Sequence, residues 1–277
     1  MRNDMPHTLH TTRLGAFALL LTLAVGCSQE RATITALPEL ANKTFAVPTG
    51  TAADQLVLSK FPEAQFQYYN SVLDSALAVQ AGRADAAAYD EPILRNIAGR
   101  NPGLVVLPER ITTDEYGLAV QLDDATLKAA VDAVVSELRA NGGYEDMLTR
   151  WLPAQGAPAA MPAFDSLPAE VDPDDPRPVL RFGTAAVTEP FSFYDGSRAV
   201  VGFDIELAAR VADRLGRRLE IVDMEFGGLI PALMAGKVDM IGACITITEE
   251  RAKSVLFSAS YYTGGISALV RGPAAGS

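Results

Sequence analysis

The sequence predicts an α/β protein built as two similar lobes, and three observations carry that prediction. Strand-like apolar runs alternate with helical patterns across short glycine turns, which indicates parallel sheets covered by helices. The phrase Ala81-Gly82-Arg83-Ala84-Asp85 is nearly repeated as Ala235-Gly236-Lys237-Val238-Asp239, each time between a helical pattern and a strand. A stretch rich in Pro, Ala and Asp at residues 153–178 divides the chain as a linker does.

The elements follow in order. Arg2 and Arg13 flank a polar start, Leu14 to Gly26 is uncharged and mostly apolar, and Cys27 follows. That run is too short for a stable membrane span and reads as a secretory signal. Leu23-Ala24-Val25-Gly26 before Cys27 resembles the lipobox of bacterial lipoproteins, in which the cysteine is lipidated. The expected division is therefore a signal at 1–26 and an anchor and tether at 27–40, placing the protein outside the cytoplasm, in the periplasm or on the cell surface. Thr44 to Val47 is a strand that runs through the turn Thr49-Gly50-Thr51 into a helix over Ala52 to Lys60. Val72 to Gln80 is helical, Gly82 suits its left-handed end, and Ala86 to Tyr89 is a buried strand ending at Asp90. Leu127, Ala130, Val131, Val134 and Leu138 mark a long helix that stops at Asn141-Gly142-Gly143, and Trp151 reads as a core anchor. Beyond the linker come a strand at Val179 to Gly183, a helix at Phe203 to Leu215 and a strand at Leu219 to Asp223. A helix at Leu229 to Met234 and a strand at Met240 to Ile245 complete the series.

Composition excludes several function classes. The net charge of -11 with dispersed basic residues leaves no footprint for nucleic acid. The only histidines, His7 and His10, fall in the signal, so the mature chain has no imidazole for a Ser-His-Asp or Cys-His nucleophile, and no metal site or cofactor is expected. With Cys27 lipidated, Cys244 has no partner for a disulfide.

In open parallel sheets, ligands sit beyond the C-terminal strand ends, where helix N-termini converge. Three segments meet that description. In Thr246-Ile247-Thr248-Glu249-Glu250-Arg251, Thr248 can cap a helix one turn before Arg251. Arg251 either forks onto a ligand carboxylate beside the Thr246 hydroxyl or pairs with Glu249 or Glu250 on a solvated face. The turn Thr49-Gly50-Thr51 exposes amides at a helix start. Tyr89-Asp90 offers a carboxylate for an ammonium group, with Phe226 and Phe191 as candidate apolar walls.

These residues belong to a larger set. Pro190-Phe191-Ser192-Phe193, Gly202 through Leu207, Leu229 through Leu233, Thr246 through Arg251, and Phe257 through Tyr262 resemble, in order, the first lobe of the bacterial family 3 (amino-acid type) solute-binding proteins. Lys43 to Val47, Thr49-Gly50-Thr51 and Ala81 to Asp90 resemble that family's second lobe, and Glu115 through Trp151 its return crossing and closing helices. The resemblance implies a two-lobed, type II periplasmic-binding-protein-like fold in circularly permuted order. The second lobe occupies 41–112, the return crossing and closing helices of the first lobe 113–152, the linker 153–178 and the remainder of the first lobe 179–277. Only the stretch near Ile111 to Gly117 is then expected to cross between lobes, which implies a looser hinge.

The resemblance further implies that Arg251 and Thr246 hold a ligand α-carboxylate with amides near Thr51, and that Asp90 holds the α-ammonium. Where many members have an acid after the first strand this chain has Ala185 and Ala186, for which Glu189 is the candidate substitute, and Cys244 stands where many have glycine. The expected function is binding of a small ligand, an amino acid, for the permease of an ABC transporter or for a sensor protein. A lyase on the same scaffold, using Glu91 or Glu189, is the alternative with chemistry.

Overall fold

The computed structural model describes residues 33–153, 160–164 and 175–273. The signal, Cys27 and most of the linker lie outside the described residues. In chain order, β1 (Thr44–Pro48), α1 (Ala53–Lys60), β2 (Gln65–Tyr69), α2 (Val72–Gln80), β3 (Ala86–Asp90), α3 (Glu91–Arg100) and β4 (Leu104–Val106) come first. Then follow β5 (Asp114–Tyr116), β6 (Ala119–Val120), α4 (Ala125–Asn141) and α5 (Gly143–Trp151). After the linker come β7 (Val179–Thr184), β8 (Val187–Thr188), β9 (Ser192–Tyr194), β10 (Val200–Val201), α6 (Phe203–Arg214) and β11 (Arg218–Asp223). The series ends with α7 (Leu229–Met234), β12 (Met240–Ile241), β13 (Leu256–Phe257), β14 (Tyr262–Gly264) and β15 (Ile266–Arg271).

Two five-stranded sheets organise these elements into two lobes. Lobe II carries the order β2-β1-β3-β15-β4 and lobe I the order β11-β7-β12-β6-β13. In lobe II, β1 is parallel to β2 and β3, whereas β15 runs antiparallel to β3 and β4. Because a strand alternates its faces, Ala46 and Ala87 turn to one core, with Ala76 and Val79 of α2, while Phe45, Val47, Ala86 and Ala88 turn to the other, with Ala53 and Val57 of α1. The alanine run of β3 is thus a central strand whose small side chains let helices close on both faces.

Lobe I is closed by α4, α5 and α6. Trp151 is fully buried, and its Nε1 donates to Glu206 Oε2 at 2.6 Å. Glu206 is itself 0% exposed and is neutralised by Arg150 and Arg210, so the buried carboxylate keeps charge-assisted partners. Trp151 is the core anchor that its position predicts.

Two features differ from the expectations. Two strands, not one, pass between the lobes: β5 leads from lobe II to lobe I, and β14 returns, the pair being antiparallel with Tyr116 opposite Tyr262. Ile266–Arg271 therefore lies in the sheet of lobe II and not in the remainder of the first lobe. The run Ile266, Ala268, Leu269 and Val270, interrupted only by the small buried Ser267, suits a strand buried on both faces, which is what the position between β3 and β4 requires. A paired two-strand hinge replaces the looser single crossing. The tether also ends earlier than residue 40, because Leu37 and Leu40 of a 3-10 turn, Leu37–Leu40, are buried against β1 and α1 of lobe II.

Candidate functional site

The C-terminal ends of β1 and β3 in lobe II face the segment after β12 in lobe I across a cleft. Thr51, Ala52, Ala53, Tyr89, Asp90 and Ile266 line it from one side, and Phe226, Cys244, Thr246 and Arg251 from the other, around a narrow space. A second, adjoining space shares Phe226 and Arg251 and is otherwise lined by Gly50, Gly227, Leu229, Ile230 and Ile245.

Arg251 is held for a purpose other than a surface ion pair. It starts a single 3-10 turn, Arg251–Lys253, not the longer helix expected, because β13 begins at Leu256 and leaves no length for more. Thr248 still acts as a cap, its Oγ1 accepting from the Arg251 amide at 3.2 Å. The guanidinium donates from Nη1 to the Thr246 carbonyl at 3.0 Å and lies 5.5 Å from the centre of the Phe226 ring. Among the described residues no carboxylate is paired with it, since Glu250 takes Lys253 instead. Burial lowers its pKa despite the attraction of Tyr89, Asp90 and Cys244, the signature of a cation shielded from water without a contact anion. The Thr246 hydroxyl has no hydrogen-bond partner among the described residues, nor have the amides of Thr51 and Ala52, which precede α1. The Thr51 hydroxyl is committed to the Pro48 carbonyl at 2.9 Å.

Asp90 ends the strand β3, 4% exposed, and receives the hydroxyl of Tyr116 on its Oδ1. Tyr116 sits on hinge strand β5, where Gly264 of β14 lets the ring pack flat: a Cβ on Gly264 would come within 2.4 Å of its hydroxyl oxygen. Burial raises the Asp90 pKa to about 7, against the Tyr116 hydrogen bond and the pull of Arg251. Cys244 has a left-handed backbone, φ 49°, and its amide donates to Asp204 Oδ2 at 2.8 Å, while its Sγ lies 3.8 Å from Asp90 Oδ2. This turn, and the early end of β12 at Ile241, replace the strand expected through Ile245. Burial, then the charges of Asp90 and Asp204, push the thiol pKa well up, so Cys244 is a packed neutral group.

Seven of the ten candidate residues therefore line the main cleft: Arg251, Thr246, Asp90, Thr51, Phe226, Cys244 and Tyr89. Gly50 lines the adjoining space, whereas Thr49 turns its hydroxyl to the Tyr69 carbonyl. Glu189 is not in the cleft. It is clamped by both terminal nitrogens of Arg100 at 2.6 Å each, joining lobe I to α3 of lobe II. Phe191 is likewise no wall, being fully buried against Tyr116, Phe203 and Tyr262. Glu91 is held by Arg110 and Arg95, whose hydrogen bonds overcome burial and lower its pKa. Neither carboxylate considered for a lyase faces the cleft. Sequence reasoning missed Tyr116, which reaches Asp90 through hinge strand β5, and Ile266, which opens β15 where the chain re-enters the sheet of lobe II.

The lobes meet at two glycines. Gly50 has φ +78°, and a Cβ built on it would lie 3.0 Å from the Gly227 Cα across the cleft, whereas one on Gly227 would stand 3.8 Å from Gly50. Gly50→Ala is expected to cost ~1–2 kcal/mol in backbone strain and to hold the lobes apart. Small-angle scattering should show a larger radius of gyration for Gly50→Ala than for Gly227→Ala, and equal radii would remove this contact from the account of closure.

Comparisons with known proteins match part of the chain. Residues 180–275 match the family model of bacterial extracellular solute-binding proteins, family 3. The arginine-binding extracellular protein ArtP of Bacillus subtilis is 44% identical over 84 residues, 30% of this chain and 32% of that protein. A probable histidine-binding protein of Campylobacter jejuni is 42% identical over 83 residues, again 30% of this chain and 32% of that one. Among solved structures, the arginine-bound domain 1 from TmArgBP is 41% identical, covering 37% of this chain and 86% of that one, with a TM-score of 0.30. The chain spans about a third of the length of the curated relatives it matches.

Proposed function

We propose that the protein captures a small zwitterionic solute, an amino acid, between its two lobes and presents it to the permease of an ABC transporter. The observation that carries this reading is Arg251: a guanidinium shielded in the cleft, stacked on Phe226 and without a carboxylate partner among the described residues, faces Asp90 on the opposite lobe. An α-carboxylate on Arg251, with Thr246 and the amides before α1, and an α-ammonium on Asp90 would satisfy both charges at once. Because the two groups come from different lobes joined by β5 and β14, a ligand bridging them stabilises the arrangement in which they approach. The names of the relatives, arginine-, histidine- and glutamine-binding proteins among them, support the same class of ligand.

The reading includes lipid anchoring through Cys27 outside the cytoplasm, supported by the lipobox-like Leu23 to Cys27, and a circularly permuted order of lobes. The permuted order is supported by the chain sequence of the elements: lobe II begins with β1, lobe I follows through α5 and resumes at β7, and β15 returns to lobe II.

A thermal-shift screen against the common L-amino acids tests the central claim. Ligand at 100 times its Kd adds about 2.7 kcal/mol to the stability of the native state, so at least one amino acid should raise Tm by several degrees. No rise with any of them would overturn the reading.

A further inference from the structure

We infer that the cleft is selective for neutral amino acids with apolar side chains and rejects cationic ones. The inference rests on the solute-binding reading above and adds to it the class of side chain. Charge balance carries it. Of the residues lining the main cleft, one is anionic, Asp90, and one is cationic, Arg251, and the α-ammonium and α-carboxylate of an amino acid engage both. A guanidinium or ammonium on the ligand side chain would then be taken out of water with no anion to receive it, which is among the most unfavourable arrangements a pocket can impose.

The adjoining space beyond Phe226, which the proposal assigns to the ligand side chain, supplies no such anion. Its walls are Gly50, Gly227, Phe226, Leu229, Ile230 and Ile245, with Arg251 at the shared boundary. A side-chain carboxylate is no better served, because the positive charge at that boundary belongs to the α-carboxylate. The acids nearest along the chain are committed elsewhere or face outward: Asp223 accepts from the Ala186 amide and the Tyr194 hydroxyl, Glu189 is clamped by Arg100, and Glu225 does not line either space. An aliphatic side chain, by contrast, exchanges water for the Leu229, Ile230 and Ile245 surfaces and strands no polar group. The proposed preference differs from the arginine and histidine for which two of the relatives are named.

Titration calorimetry of the purified protein with L-alanine, L-valine, L-leucine, L-arginine, L-lysine and L-glutamate tests the inference. At least one neutral amino acid should bind 30-fold or more tightly than L-arginine, L-lysine and L-glutamate. Binding of L-arginine as tight as that of every neutral amino acid would overturn the inference while leaving the solute-binding reading intact. Heat with none of the six, together with no thermal shift from any amino acid, would overturn both. A second variant reads the same charge balance from the other side. Gly227 is a wall position where an added Cβ meets only ordinary contact, at 3.8 Å from Gly50. Gly227→Asp should therefore tighten L-arginine tenfold or more relative to L-leucine, and an unchanged ratio would count against an anion-poor wall as the cause of selectivity.

Discussion

Replacing Arg251 with methionine should abolish amino-acid binding while leaving the fold intact or slightly more stable. Its guanidinium makes one hydrogen bond to protein, from Nη1 to the Thr246 carbonyl, and has no carboxylate partner among the described residues. Arg251 lines the same space as Thr246, Thr51 and Ala52. Removing one partner of a desolvated, hydrogen-bonded charge pair costs ~2–5 kcal/mol of binding, or roughly 30- to 4,000-fold in Kd. The fold loses little in return, since an unpaired shielded cation pays for its own desolvation and methionine keeps much of the packing on Phe226. Arg251→Lys should fall between the two, because the ammonium keeps the charge but not the planar fork that grips a carboxylate and stacks on a ring. Calorimetry and thermal melts on the same preparations separate the effects. Binding by Arg251→Met within fivefold of the parent would remove Arg251 from the ligand's carboxylate, and a collapse of Tm would make its role structural.

Most of this site was legible in the sequence because its parts are local phrases. Thr246 through Arg251 follows a strand, Thr49-Gly50-Thr51 lies between a strand and a helix, and Tyr89-Asp90 ends the alanine-rich strand, so each placed its residues at a strand's C-terminal end, where the two sheets converge. What was not legible depends on long-range pairing. Tyr116 beneath Asp90 is separated from it by 26 residues and depends on β5 pairing with β14. Glu189 sits three residues after Ala186 and was a fair substitute for a loop acid by position, but its direction is set by Arg100, 89 residues away on the other lobe. The lobe boundary was misplaced for the same reason: nothing local tells an apolar strand after Tyr262 which of two similar sheets it will join. Patterning specifies that a strand is buried; only the completed topology specifies where.

The Asp90→Asn variant should bind amino acids at least 100-fold more weakly and yet melt at a higher temperature than the parent at pH 8 without added amino acid. Both effects follow from one buried carboxylate. Burial raises the Asp90 pKa from 3.8 to about 7, with the Tyr116 hydrogen bond and Arg251 opposing it, while the neighbouring thiol and the Tyr89 phenol are themselves pushed up and stay neutral. The folded protein therefore holds a proton between about pH 4 and pH 7 that the unfolded chain releases, so this group's contribution to stability is present at low pH and is lost as pH rises through that window. Asp204, also raised to about 7 by burial, adds a change of the same sign. At about 1.4 kcal/mol per unit, Asp90 costs a few kcal/mol at pH 8, which asparagine removes while its Oδ1 still accepts from Tyr116. The gain should shrink to near zero at pH 4, where the folded parent's carboxyl is protonated and the unfolded chain's is close to half protonated. Binding must respond in the opposite direction: protonation removes the anion facing the ligand's ammonium, so the parent's Kd should rise toward tenfold per unit as pH falls below about 7, whereas the variant's weak Kd should stay flat. Melts and calorimetry from pH 4 to pH 8 on both proteins read the two slopes. If the variant kept the parent's affinity, or if both proteins shared one stability profile, Asp90 would be neither the ammonium's partner nor the strained group in the cleft. Its conservation of shape without charge is what makes the comparison decisive, because a merely structural aspartate would lose stability and binding together.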